Sequence, residues 1–189
     1  WSSGGQLEYV GTNFNPEVGY VPRRGYLKAS TVVSRLFFPK GGMVLSHGPI
    51  FNSTGYFDPN VLSGNTSMGN LMDEETYTVY SITFRSRSTF SPWVGHNFVR
   101  LYRKFDPTNS RRDSLAIGTE HRWGSFGFEY ASKPQQLFTW SANFRYGGYY
   151  ADGKRLNIGG ELAYRFQPYA ALSVAFNYNR IMLPDPWNT

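Results

Sequence analysis

The sequence contains no cysteine and few charged residues. The absence of cysteine excludes disulfides, thiol nucleophiles, zinc fingers and iron–sulfur ligation. Asp, Glu, Lys and Arg make up 17% of the 189 residues, against roughly 25% in ordinary globular chains. No run of 18 consecutive apolar residues occurs, so the sequence predicts no transmembrane helix.

Aromatic residues are abundant, at 18% of the chain, which argues against disorder. The formal net charge is +6, and basic patches interleaved with aromatics can bind nucleic acid. However, Arg outnumbers Lys 14 to 5, and the arginines are scattered, with doublets only at 23–24 and 111–112. We therefore expect no nucleic-acid partner.

Alternation of apolar and polar residues is the main structural signal, and a period of two predicts β-strands. It is clearest in three successive segments of ten to twelve residues, at 137–146, 155–166 and 169–180. Upstream the pattern is weaker, and nine or ten strands are expected in all. The other candidate strands lie at about 6–14, 26–38, 43–51, 80–87, 93–105, 113–121 and 125–130.

The connections between these segments alternate in length. Gln167-Pro168 predicts a tight turn, 131–135 a short connection and 147–154 a longer one. The polar segment 52–74, rich in Gly, Asn and Ser, predicts a long loop. No linker divides the chain, so residues 1–189 are expected to form one domain.

The strand length favours an antiparallel transmembrane β-barrel of the outer-membrane type. Soluble sandwiches use strands of about 5–6 residues, whereas a tilted membrane strand needs about 9–11. Two sets of side chains should face opposite ways. The residues expected to face lipid are Phe138, Trp140, Phe144, Leu156, Ile158, Leu162, Leu172, Val174 and Phe176. The residues expected to face a polar lumen are Arg145, Arg155, Glu161, Arg165 and Asn177.

The stretch Phe14-Asn15-Pro16-Glu17-Val18-Gly19-Tyr20, followed by Arg23-Arg24, resembles a signature of a bacterial outer-membrane barrel family of unknown function. Segments 80–90, 103–107 and 173–184 are also similar to that family. Its members carry an N-terminal carbohydrate-binding family-9-like module, which this sequence lacks. The resemblance implies the outer membrane of a Gram-negative bacterium and a glycan association. It also implies a partial barrel of about 9–10 strands from a longer chain, with further strands pairing with 169–180.

Catalytic and metal-binding patterns are absent. His47, His96 and His121 are too far apart in sequence to predict a metal site, and no cofactor is expected. Asp73-Glu74-Glu75 is the one acidic run, and a solvated loop is the preferred interpretation. Glu129 and Glu161 are isolated carboxylates, for which we expect ion pairs with lumen arginines. Tyr149 and Tyr150 could stack on a sugar, although anchoring at a membrane interface is the favoured role.

The leading functional hypothesis is a non-enzymatic outer-membrane β-barrel: a structural or accessory component, a pore, or a glycan-associated surface protein. Its expected partners are outer-membrane lipid, a glycan and other outer-membrane subunits. Two alternatives stay open. One is a membrane-anchored surface glycan hydrolase, and the other is a soluble β-sandwich that binds glycans.

Overall fold

The computed structural model describes residues 1–15, 24–60, 71–107 and 114–184, and these residues form one antiparallel sheet of nine strands. The order of the strands in the sheet is their order in the chain. The strands are β1 (Ser2–Val10), β2 (Tyr26–Ser34), β3 (Val44–Phe57), β4 (Leu71–Phe84), β5 (Thr89–Arg100), β6 (Glu120–Ala131), β7 (Phe138–Gly148), β8 (Lys154–Phe166) and β9 (Ala170–Met182).

The alternating pattern of the C-terminal segments sets how β7, β8 and β9 pair. Trp140 lies opposite Leu162, which lies opposite Val174. The adjacent residues Ser141, on β7, and Glu161, on β8, also pair, and they face the other side of the sheet. A slip of one residue in the pairing would place apolar and polar residues on the same face. The observed register avoids this, and so it agrees with the alternation in the sequence.

The sheet is open in the part of the chain that the structure describes. There β1 is paired only with β2 and β9 only with β8. The expectation that strand 169–180 does not pair with the first strand therefore holds for the described residues. The strands form one sheet and not the two packed sheets of a sandwich. Among the described residues, no helix is long and apolar enough to cross a membrane.

The two ends of the sheet differ in the length of their connections. At one end, residues 35–43, 85–88, 132–137 and 167–169 connect the strands, and only the β2–β3 connection, 35–43, is longer than six residues. At the other end, residues 11–25, 58–70 and 101–119 connect the strands, and only the β7–β8 connection, 149–153, is short. We call these the short-turn end and the long-loop end.

Several strands differ from the sequence expectation. The predicted loop 52–74 is partly wrong, because β3 continues to Phe57 and β4 begins at Leu71; residues 61–70 lie outside the described residues. Residues 114–119 are not a named strand, apart from an isolated bridge between Leu115 and Phe105. β5 begins at Thr89 rather than at 93, although Pro92 lies within it. Proline has no N–H to donate, and the β4–β5 ladder is interrupted opposite this position.

Burial in the described residues is shallow. No large side chain there is fully buried, and the buried apolar residues are few and dispersed: Met72, Phe98, Leu101, Leu115 and Leu183. A soluble two-layer domain would place its large apolar side chains in a common core. Here most of them remain on one exposed face of a single sheet.

Candidate functional site

The sheet has two chemically distinct faces, defined by the pairing register. The apolar face carries, on successive strands, Leu7, Val33, Phe51, Tyr80, Val94, Phe126, Phe144, Leu162 and Val174. The polar face carries Glu8, Lys28, Thr54, Glu75, Asn97, Glu129, Arg145, Asn157 and Asn177. The polar face is the candidate functional site, because polar groups converge on it.

The structure separates the two predicted sets of residues onto these two faces. All nine residues expected to face lipid lie on the apolar face of β7, β8 and β9. Arg145, Arg155, Glu161, Arg165 and Asn177 all lie on the polar face. Whether lipid and an aqueous lumen are the two surroundings remains a prediction.

An open cleft of about 470 Å³ lies on the polar face across β5 to β9. Its polar lining includes Ser91, Glu129, Asn143, Arg145 and Asn157. Trp93 adds an aromatic wall. The cleft therefore combines a carboxylate, a guanidinium, amides and an indole, which is a set suited to hydrogen-bonding a polar ligand beside an aromatic surface.

Glycines on the polar face let aromatic rings lie close to the sheet. A Cβ on Gly127 would lie 2.7 Å from the Trp93 ring and would clash with the carbonyl oxygen of Phe144. Gly95 is likewise covered by the ring of Tyr77. Tyr77 and Trp93 meet edge to face, with ring centroids 5.5 Å apart. The glycines thus create the space in which the aromatic wall of the cleft is held.

Several polar atoms of this face are buried without a hydrogen-bond partner among the described residues. They are Asn97 Oδ1, Trp123 Nε1, Ser125 Oγ and Arg145 Nε. Buried polar groups are ordinarily satisfied by protein or by ordered water. These four groups lie on the neighbouring strands β5, β6 and β7 and leave donors and acceptors on this face.

The two isolated carboxylates lie on the same face, on either side of β7. Glu129 is opposite Asn143, and Glu161 is opposite Ser141. Two strand spacings separate β6 from β8, roughly 10 Å, and the two residues are also offset by two positions along β7, so their Cα atoms are about 12 Å apart. The expected ion pairs with lumen arginines are wrong for the described residues, where neither carboxylate is within 4.0 Å of a cationic side chain.

Two of the three arginines expected to face a lumen donate to neutral acceptors instead of carboxylates. Arg155 Nε donates to Asn179 Oδ1 at 2.9 Å, and Arg165 donates to the backbone carbonyls of Pro134 and Gln136. Beside them, Asn157 Nδ2 donates to Asn177 Oδ1 at 2.8 Å. Diagonal hydrogen bonds between β8 and β9 therefore take the place of the expected salt bridges.

Tyr149 and Tyr150 occupy the turn between β7 and β8 within an aromatic cluster. The Tyr150 ring packs against Phe105 at 4.7 Å and against Trp123 at 4.8 Å between centroids. Tyr149 meets Tyr150 edge to face at 4.9 Å. Both tyrosines are half-buried, and the Arg155 guanidinium lies over the Tyr149 ring at 5.7 Å, so stacking of either ring on a sugar remains a prediction.

The three histidines lie apart in the structure. His47 Nδ1 is 2.7 Å from the Tyr80 hydroxyl, His121 Nε2 is 3.0 Å from Thr119 Oγ1, and His96 lies exposed on the apolar face. The described residues hold no group of three or more His, Asp or Glu side chains placed to bind a metal ion.

The sequence interpretation did not assign Trp93 or Asn97 to the polar face, and it did not include Asn143 among the candidate site residues. Asn143 occupies a polar position in the alternating segment 137–146, so the register alone could have assigned it. The positions of Trp93 and Asn97 carry no comparable signal, because Pro92 and Gly95 interrupt the pattern around them.

Comparison of the chain with protein-family models, curated proteins and solved structures finds no match. The resemblance to an outer-membrane barrel family therefore remains an expectation. Part of its motif, residues 16–23, lies outside the described residues.

Proposed function

We propose that the sheet is part of the wall of a transmembrane β-barrel in the outer membrane of a Gram-negative bacterium. In this proposal the apolar face contacts lipid, and the polar face borders a polar lumen. The observation that carries it is an apolar face that stays exposed along β7 to β9. On that face Phe138, Leu162 and Val174 are 49%, 47% and 60% exposed.

The arrangement of the connections supports the same proposal. Outer-membrane barrels have short turns at one end and longer extracellular loops at the other. The sheet has this asymmetry. Aromatic side chains also lie near the short-turn end of the apolar face, where Phe138 is opposite Tyr164 and Phe166 follows. Such residues form the interfacial girdles of membrane barrels.

The open edges of the sheet are consistent with a partial barrel. In hydrocarbon, a sheet edge with unpaired backbone groups is unstable, because each unsatisfied group costs several kcal/mol. We therefore propose that further strands, from this chain or another, complete the ring at β1 and β9. The protein itself acts without catalysis, as a pore, as an accessory component or as the membrane part of a glycan-associated surface protein.

The tryptophans offer a direct test, because they lie on opposite faces. Trp140 is on the apolar face, and Trp93 is on the polar face. Two single-tryptophan variants, each with the other four tryptophans changed to Phe, would be reconstituted in vesicles containing lipids with brominated acyl chains. We expect strong quenching of Trp140 and weak quenching of Trp93. Equal quenching, or a protein that stays dispersed without detergent, would contradict the proposal and favour the soluble module.

The glycan hydrolase is a second candidate, favoured by one observation. Glu129 and Glu161 share the polar face on either side of β7, and glycoside hydrolysis uses two carboxylates about 5–10 Å apart. Hydrolysis of a glycan that is lost in both Glu129→Gln and Glu161→Gln would support this enzyme.

A liposome-swelling assay of the unmodified protein would separately distinguish a pore from a plugged barrel.

A further inference from the structure

A groove of about 340 Å³ lies at the long-loop end, beside β6, β7 and β8. Its floor includes Gly124, where a Cβ would meet no atom closer than 3.8 Å, whereas the space over Gly148 is filled by the Cβ of Trp123. Arg122 and Lys154 line it. We call it the basic groove; the bare backbone at Gly124 lets a ligand group approach between these two cations.

The cations of the basic groove are available to a ligand. The Arg122 side chain is 66% exposed, and its guanidinium lies over the Phe98 ring at 4.7 Å. Lys154 is exposed and has no ion pair among the described residues. Arg180, on β9, is exposed on the same face as Lys154 and one diagonal step from it.

The acidic groups nearby leave a net positive charge. Glu120 is engaged mainly by Arg100, at 2.6 Å, and lies 4.0 Å from Arg122. Asp152, in the β7–β8 turn, is the one carboxylate among the residues that line the groove. Two cations, Arg122 and Lys154, line the groove with this one carboxylate, and Arg180 lies beside Lys154, so the groove favours an anion.

The groove opens next to the apolar face, and this position limits the chemical class of the anion that fits it. Tyr146 lines the groove and lies opposite Leu156 on the apolar face. Ile158 continues the same row away from the long-loop end. A molecule bound there would place a charged group between the cations and an apolar group along Tyr146 and Leu156, and this is the chemistry of an anionic lipid.

We propose that the basic groove binds the phosphate of an anionic lipid in the leaflet on the long-loop side. This inference rests on the proposed membrane location. Cations at this depth lie in the headgroup layer, where each contributes attraction to anionic lipids. The glycine floor admits the headgroup, and the acyl chains lie along the apolar face.

Native mass spectrometry of the detergent-solubilised protein tests the inference. The protein would be titrated with phosphatidylglycerol and, separately, with phosphatidylcholine of the same acyl chains. The variant R122Q/K154Q removes two cations of the groove. The control, K40Q/K133Q, removes two exposed lysines from connections at the short-turn end, with the same change in charge. Circular dichroism would verify that both variants are folded.

We expect the unmodified protein to prefer phosphatidylglycerol, and R122Q/K154Q to lose about fivefold in affinity for each cation removed. The control should retain the preference. Equal binding of both lipids, or an equal loss in the control, would overturn the inference while leaving the membrane proposal intact. Displacement of phosphatidylglycerol by millimolar inorganic phosphate would instead identify a free-phosphate site. A protein that binds neither lipid and needs no detergent would overturn both proposals.

Discussion

The two faces of strand β8 share one backbone but differ in how their side chains are satisfied. On the apolar face, Ile158 and Leu162 are 39% and 47% exposed. On the polar face, Arg155 and Asn157 donate hydrogen bonds across to β9 at 2.9 and 2.8 Å. The polar side chains have hydrogen-bond partners within the sheet, whereas the apolar side chains are left exposed. A contiguous apolar surface of this kind marks an interaction site, and the proposal assigns lipid to it.

Introducing a charge in the middle of the apolar face should have the largest effect. Leu162→Arg is expected to destabilise the reconstituted protein by about 2–4 kcal/mol, because a cation at the bilayer midplane loses its hydration. Denaturant unfolding in lipid vesicles would measure the change. Asn157→Arg places the same charge on the polar face of the same strand and should cost much less. Equal losses in the two variants would remove the distinction between the faces.

Filling the space above a polar-face glycine should have the next largest effect. Gly127→Ala is expected to destabilise by about 1–3 kcal/mol, because the new methyl group meets the Trp93 ring and the Phe144 carbonyl. Gly124→Ala, on the same strand but on the other face, has room for its methyl group. The difference between the two unfolding free energies is the quantity to measure. A neutral Gly127→Ala would show that the ring of Trp93 is not held against the sheet.

Breaking the ion pair at the long-loop end should have the smallest effect. Glu120→Gln removes the partner of Arg100, whose side chain is 21% exposed, against 43% for Glu120. Partly exposed pairs contribute about 0.2–1 kcal/mol, and the loss should shrink as salt concentration rises. Glu161→Gln, which removes a carboxylate without an ion pair among the described residues, should show no salt-dependent loss. A salt-dependent effect of equal size in both variants would contradict this assignment.

The sequence predicted the C-terminal part of the fold well, and physical reasons explain why. The segments 137–146, 155–166 and 169–180 correspond closely to β7, β8 and β9. Their apolar and polar residues alternate strictly, so the period and the faces follow directly from the residues. The division between two faces of the residues expected to face lipid and those expected to face a lumen follows from the same alternation.

The N-terminal part was harder to predict because polar residues occupy both faces near the long-loop end of β3 and β4. Near the long-loop end of β3 and β4, Ser53 and Thr76 lie on the apolar face, where their hydroxyl oxygens are 2.9 Å apart. Thr54 and Glu75, on the polar face, lie opposite each other. A succession of polar residues is also typical of a loop, and for this reason the sequence of 52–74 predicts a loop.

The candidate site was only partly predictable, because it depends on contacts between strands distant in sequence. The polar character of Glu129, Glu161 and Arg145 was evident from the alternation. The hydrogen-bond partners on this face were not evident. The neutral acceptors of Arg155 and Arg165, for example, lie about 24 to 31 residues away in the chain. Such contacts depend on register and turn geometry, which local pattern does not determine.

The central claim is that the two faces of the sheet lie in different solvents, and accessibility along β8 tests it most directly. Because the chain has no cysteine, single cysteines can be introduced and spin-labelled one position at a time in the reconstituted protein. The positions to compare are Asn157, Ile158, Glu161, Leu162, Ala163 and Tyr164. Oxygen, which concentrates in hydrocarbon, should increase the spin-relaxation rate of labels at 158, 162 and 164. A water-soluble nickel complex should instead increase the relaxation rate of labels at 157, 161 and 163. An accessibility pattern without this period of two would contradict the account.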